Sequence, residues 1–223
     1  KVADQVRERA ALMFSEQEIE VDPSEILLDD RKAIAPTGDT ISFDEIALHA
    51  LHQTDQIQIM AVASHMSPVA PPPFAAQFAE VTVDLDTGMV TVDQLVMAVD
   101  SGVIINPVTA SGQIEGGMTQ ALGYAVCEEM VYDKKGQLRE RDFVDYHIFR
   151  ADEMPELTTI FVETYEPSHP YGAKAVAEIP LDGVAPAVGN AILDACGVAL
   201  NKIPALPEEI WRSMTGTTTD REV

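Results

Sequence analysis

The chain has 223 residues and a formal net charge of −23; with 37 Asp and Glu against 14 Lys and Arg, it lacks the clustered cations that a nucleic-acid backbone requires. Hydrophobic residues make up 46%, enough to build a core, but no apolar run reaches the roughly eighteen residues of a membrane span. Only two cysteines are present, Cys127 and Cys196, far apart and without a CxxC pair, so no disulfide framework, zinc site or four-cysteine iron–sulfur motif is suggested and a reducing cytoplasm fits. The acidity itself has two readings, simple solubility or a face turned to a basic partner subunit.

In chain order, Val2, Val6, Ala10, Met13 and Phe14 fall at helical spacing, so residues 2–16 are expected to form an amphipathic helix. Its start is charged, which is unlike a signal peptide, and no capping residue precedes it, so the chain reads as an excised fragment or as one lacking a disordered start. Residues 17–41 read as short strands and turns broken at Pro23 and Pro36-Thr37-Gly38. Ser42 and Glu45 make a capping box for a helix from Phe43 to about Leu51. Residues 54–62 read as a strand, and the four prolines of SPVAPPPF (67–74) mark a connector where the chain changes direction. The clearest β signal is 78–100: Val81, Val83 and Leu85 alternate with polar residues, Asp86-Thr87-Gly88 is turn chemistry, and a second strand follows to about Val99.

Residues 101–111 read as a loop broken at Asn106-Pro107, followed by a helix over 112–130. Gly116, Gly117 and Gly123 inside that helix each cost roughly 1 kcal/mol relative to Ala, which points to close approach of another backbone or of a ligand. A hairpin turn at 132–138, a strand near 158–163, a short loop at 171–180, an apolar helix over 181–200, and a connector with a short helix over 202–211 complete the pattern. The residues TGTTTDREV form a frayed tail.

Few residues offer chemistry. His49 and His52 share a helix face without an HExxH pattern and read as structural or surface residues, and no GxSxG, P-loop or GxGxxG occurs. Two glycine-rich segments remain, 112–123 and 172–180. Glu178 lies in the second, just ahead of Pro180 and an apolar helix. A helix N-terminus favours its charged form and burial opposes it, a balance suited to a base; capping of the helix is the alternative reading.

The ordered segments AEVTVDLDTGMVTV, DSGVIINPVTASGQIEGGMTQALGYAVCEE, GAKAVAEIPL and IPALPEEIW resemble the molybdenum-binding subunits of the xanthine dehydrogenase and aldehyde oxidase family of molybdenum hydroxylases. The resemblance is to the C-terminal part of the molybdopterin-binding region; it covers 71–212 well and 1–70 loosely, with 213–223 as a tail. It implies an α+β fold, with mixed β-sheets and hairpins packed against glycine-rich helices. It also implies oxidation of a heterocycle or aldehyde with water as oxygen source, with Glu178 as the base acting on a Mo–OH group. Gly112, Gln113, Lys174 and Ala175 would lie at the molybdopterin cofactor, its cytosine dinucleotide form being one option, and no side chain of this chain would ligate the metal. Family members usually carry Gly immediately before the glutamate, where this sequence has Ala177.

Iron–sulfur clusters and FAD would sit on partner domains or subunits, further pterin-binding motifs would lie upstream, and the assembled complex would dimerise. On this reading the isolated chain binds no molybdenum. The alternative is a non-catalytic assembly or dimerisation module of such a complex. Either way the helix from Gln113 and the loop around Glu178 are expected to meet.

Overall fold

The computed structural model describes residues 1–216 and divides into two compact units, Lys1–Met66 and the chain from Ser67 onward. The boundary falls at the start of the proline-rich connector.

In the first unit, α1 (Val2–Glu16) buries Ala10, Met13 and Phe14, the stripe expected from their spacing. β1 (Leu27–Asp29), β2 (Lys32–Ile34) and β3 (Thr40–Ser42) form an antiparallel meander. α2 (Phe43–His52) starts with both halves of the Ser42/Glu45 capping box in place. Ile26, Ala33, Ile41 and Ile46 complete this core. Arg9 is buried on α1 and pairs with Asp55 at 3.1 Å. Residues 54–62 are not a strand: Thr54 and Asp55 turn, the Ile57 N–H donates back to the Ala50 carbonyl at the end of α2 at 2.9 Å, and the rest joins no ladder among the described residues.

In the second unit, β4 (Phe74–Val83) pairs antiparallel with β5 (Val90–Asp100) around the Asp86-Thr87-Gly88 turn. β6 (Glu156–Phe161) pairs parallel to β5, so the sheet is mixed. On β5, Leu95, Met97 and Val99 alternate into the core. They meet α3 (Pro107–Val126), which buries Ile114, Met118, Ala121 and Leu122 at helical spacing. α5 (Val184–Cys196) adds Val184, Val188 and Ile192, and α6 (Pro207–Thr215) adds Ile210. This is an α+β architecture.

Two boundaries correct the sequence reading. α3 starts at Pro107, five residues before Gly112, because Asn106 and Pro107 are a start signal rather than a loop break. The Asn106 carboxamide oxygen accepts from the N–H groups of Val108 and Thr109, and Pro at N1 has no donor to strand. The helix read over 181–200 is two pieces: a four-residue turn, α4 (Ile179–Asp182), then α5 after Gly183. α5 ends at Cys196 with Gly197 in the left-handed conformation, the ordinary glycine stop. Both cysteines are free and half-buried rather than fully buried, and burial, with Glu128 and Glu153 nearby, pushes the Cys127 thiol up to about 11. Residues 217–223, most of the tail expected to fray, lie outside the described residues.

Candidate functional site

The 172–180 loop and α3 do meet, and the contact is built on several supports. Gly117 faces Pro180 so closely that a Cβ there would stand 2.6 Å from the proline Cβ. The Gln113 carboxamide Nε2 lies 3.5 Å from the Ala177 carbonyl oxygen, at the outer limit of a hydrogen bond. Gln77 on β4 donates to the Pro180 carbonyl at 2.8 Å, and the Tyr124 hydroxyl of α3 donates to that of Leu181. Three side chains from two elements therefore address carbonyls on both sides of Glu178.

Glu178 itself occupies the N-cap position of α4 in an αR conformation, and its side chain makes no capping bond. The capping role is thus not realised, and a helix of four residues has little macrodipole to offer a carboxylate. The carboxylate is exposed. It lines an open cleft of about 300 Å³ with Pro73, the 175–177 backbone, Ile179 and Asp182. A larger cavity of about 420 Å³, between α5 and the 199–205 segment, includes neither Glu178 nor Gln113.

The other anticipated residues divide. Gly112 and Gln113 are exposed on α3, and a Cβ on Gly112 or Gly116 would meet nothing within 4 Å. Ala175 is exposed and lines the Glu178 cleft. Lys174 is different: its side chain is 7% exposed and its ammonium is held by Asp100 Oδ2 at 2.8 Å. Only its backbone lies on the same stretch as Glu178. The sequence reading missed Asp100, Gln77 and Tyr124, since their partners stand 74, 103 and 57 residues away and no local pattern encodes such pairings.

A molybdopterin cofactor can be tested against these groups. A flat polar molecule against α3 needs open helix backbone and uncommitted polar side chains. Gly112 and Gly116 leave the helix open, Gln113 is held only by its 3.5 Å contact to the Ala177 carbonyl, and the Glu178 side chain caps nothing, so the residues fit. Among the described residues no group of three or more His, Cys, Asp or Glu could hold a metal ion.

Comparison with known proteins decides the family. The family model for the molybdopterin cofactor-binding domain matches residues 1–155. The chain belongs to this family. A putative xanthine dehydrogenase molybdenum-binding subunit of Escherichia coli (strain K12) is 35% identical over 178 residues, 79% of this chain and 24% of that protein. The carbon monoxide dehydrogenase large chain of Afipia carboxidovorans is 35% identical over 140 residues, 63% of this chain and 17% of that protein. Among solved structures, a Cu,Mo-CO dehydrogenase superposes with a TM-score of 0.77 at 26% identity, covering 98% of this chain and 28% of that one. Quinoline 2-oxidoreductase from Pseudomonas putida 86 does so with a TM-score of 0.77 at 26% identity, covering 96% and 28%. The chain thus spans about a quarter of the length of such relatives. The match from residue 1 brings the first seventy residues into the family, although the motif segments lie beyond them.

Proposed function

We propose that this chain is the C-terminal part of the molybdopterin-binding region of a molybdenum hydroxylase, with Glu178 as the base in oxidation of a heterocycle or aldehyde. The observation that carries the reading is the uncommitted Glu178 carboxylate, exposed in a cleft and flanked by backbone held from both sides.

The molybdenum centre, when bound, would supply the two-electron redox chemistry by which a substrate C–H bond and water give a C–OH group, two electrons and two protons. Everything else falls to the protein. Glu178 accepts a proton at a carboxylate oxygen during that step, a contribution typically worth 10²–10⁴-fold. Gln113 offers a carboxamide donor and acceptor to the pterin. Gly112 and Gly116 keep the α3 backbone open to it, and Ala175 forms part of the wall beside the base. Lys174, whose ammonium and N–H are both bonded within the protein, would act on the cofactor only indirectly, by holding the loop that carries Glu178. Iron–sulfur and FAD groups on partner domains or subunits would accept the electrons, and the cofactor would be molybdopterin, with its cytosine dinucleotide form as one option. Ala177 in place of the family's usual Gly narrows the approach by one methyl group but leaves the carboxylate free. The uncommitted carboxylate also weighs against the assembly-module alternative.

Glu178→Gln in the complete, cofactor-loaded enzyme tests this reading. Turnover should fall by about 10²-fold or more while molybdenum content is unchanged. Near-normal turnover would sink the assignment.

A further inference from the structure

Asp100 ends β5, and its carboxylate is engaged from several directions. Oδ2 pairs with Lys174 Nζ at 2.8 Å. Oδ1 accepts from the Thr164 hydroxyl at 2.8 Å and from the Gly102 N–H at 2.9 Å. The Asp100 and Lys174 side chains are 18% and 7% exposed, and the Phe74 ring lies 5.4 Å from the ammonium. Around the pair the backbones interlock. The Lys174 N–H donates to the Ser101 carbonyl at 2.7 Å and the Val103 N–H to that of Gly172 at 2.9 Å. Gly102, at φ +70°, sits where a Cβ would stand 2.3 Å from the Gly172 carbonyl oxygen.

The chain has 14 Lys and Arg against 37 acids, yet it places one of its few cations inside rather than on the acidic surface. A buried ion pair is a weak net stabiliser, since desolvation offsets most of the attraction; its distinctive product is a fixed geometry. What this pair fixes is the loop arm that ends at Glu178. The other arm is held by Gln77 and Tyr124, through the carbonyls of Pro180 and Leu181. Glu178 stands between the two arms with no side-chain bond of its own to set its place.

We propose that Asp100 is the positioning residue of the Glu178 turn, acting through Lys174, so that the ammonium serves as an internal anchor and not as a ligand of the cofactor. This rests on the reading of Glu178 as the base. The anchor itself is testable without turnover, by hydrogen exchange at the amides of 172–178 in the full chain, with the α3 core amides as internal reference.

Asp100→Asn and Lys174→Met should each speed exchange in 172–178 by about tenfold or more and leave α3 unchanged. The double variant should be no faster than the faster single one, because both remove the same contact. Should Lys174→Met fail to fold, Thr164→Val, which removes one hydrogen bond from Asp100 at an exposed position, should give a smaller rise in the same segment. In the cofactor-loaded complex, both single variants should lower kcat with KM and molybdenum content held.

Unchanged exchange in 172–178, or an equal rise in α3, would overturn the proposal. So would loss of molybdenum in Lys174→Met that Asp100→Asn does not share, since the ammonium would then be a cofactor ligand. Faster loop exchange with unaltered turnover would leave the structural anchor standing but overturn its role in positioning Glu178, whose reading as the base is tested apart from it by Glu178→Gln.

Discussion

Lys174 and Glu178 stand four residues apart on one loop, in opposite surroundings. The lysine, the usual candidate for an anionic ligand, is spent on Asp100; the glutamate side chain caps nothing and lines an open cleft. The same division recurs on α3, where Gly117 is filled against Pro180 and Gly116 faces open space. Within one small region, then, some polar and small residues are already used by the fold and others are left free. The proposed site is made of the free ones.

The contrast breaks most visibly if Glu178→Gln leaves turnover intact, the largest effect at stake. Next come the adjacent glycines, where one substitution should act with opposite signs. Gly117→Ala drives a methyl group into the Pro180 ring and should destabilise the second unit by about 1–3 kcal/mol in chemical denaturation. Gly116→Ala meets nothing, so helix propensity should stabilise the same unit by up to about 1 kcal/mol. In the loaded enzyme Gly116→Ala should nevertheless lower cofactor retention, measured as molybdenum per protein. Equal effects of the two substitutions would erase the distinction between used and open faces.

Asp100→Asn should cost about 2 kcal/mol at neutral pH, less than a fully buried pair because Asp100 keeps some solvent access. Burial pushes the Asp100 carboxyl up, but Lys174, the Gly102 N–H and the Thr164 hydroxyl together hold it below the ordinary aspartate value of 3.8. A depressed folded-state value means the native protein binds fewer protons than the unfolded chain. The stabilisation is therefore complete above 3.8 and disappears as pH falls through the lower folded-state value. The stability gap between the wild type and Asp100→Asn should stay constant from neutral pH down to about 3.8, shrink as pH falls from there to the lower folded-state value, and be closed below it. A gap that closes near neutrality would assign it to another group. The smallest effect belongs to Tyr124→Phe, which leaves the Leu181 carbonyl without its donor and should cost about 1 kcal/mol.

Much of this architecture was legible in the sequence where the signal is local. The capping box at Ser42 and Glu45, the α1 stripe and the β4–β5 hairpin all rest on residues within a few positions of one another. Errors came where local patterns have two meanings. Asn106-Pro107 breaks a helix interior but starts a helix when the asparagine caps, and only the hydrogen bonds distinguish the two. Residues 54–62 have the composition of a strand but no neighbour to pair with. For the site, the meeting of Gln113 and the Glu178 loop followed from the ordered motifs. The anchor at Asp100 did not, because a strand-ending Asp-Ser-Gly looks like turn chemistry until its partner, 74 residues on, is placed beside it.

The most direct test of the central claim is a crystal structure of the cofactor-loaded protein with anomalous data at the molybdenum edge. The account predicts the metal peak in the Glu178 cleft, with the pterin against Gly112, Gln113 and Gly116 and Lys174 still paired with Asp100. A metal peak away from the Glu178 cleft, for example in the cavity between α5 and residues 199–205, would contradict it.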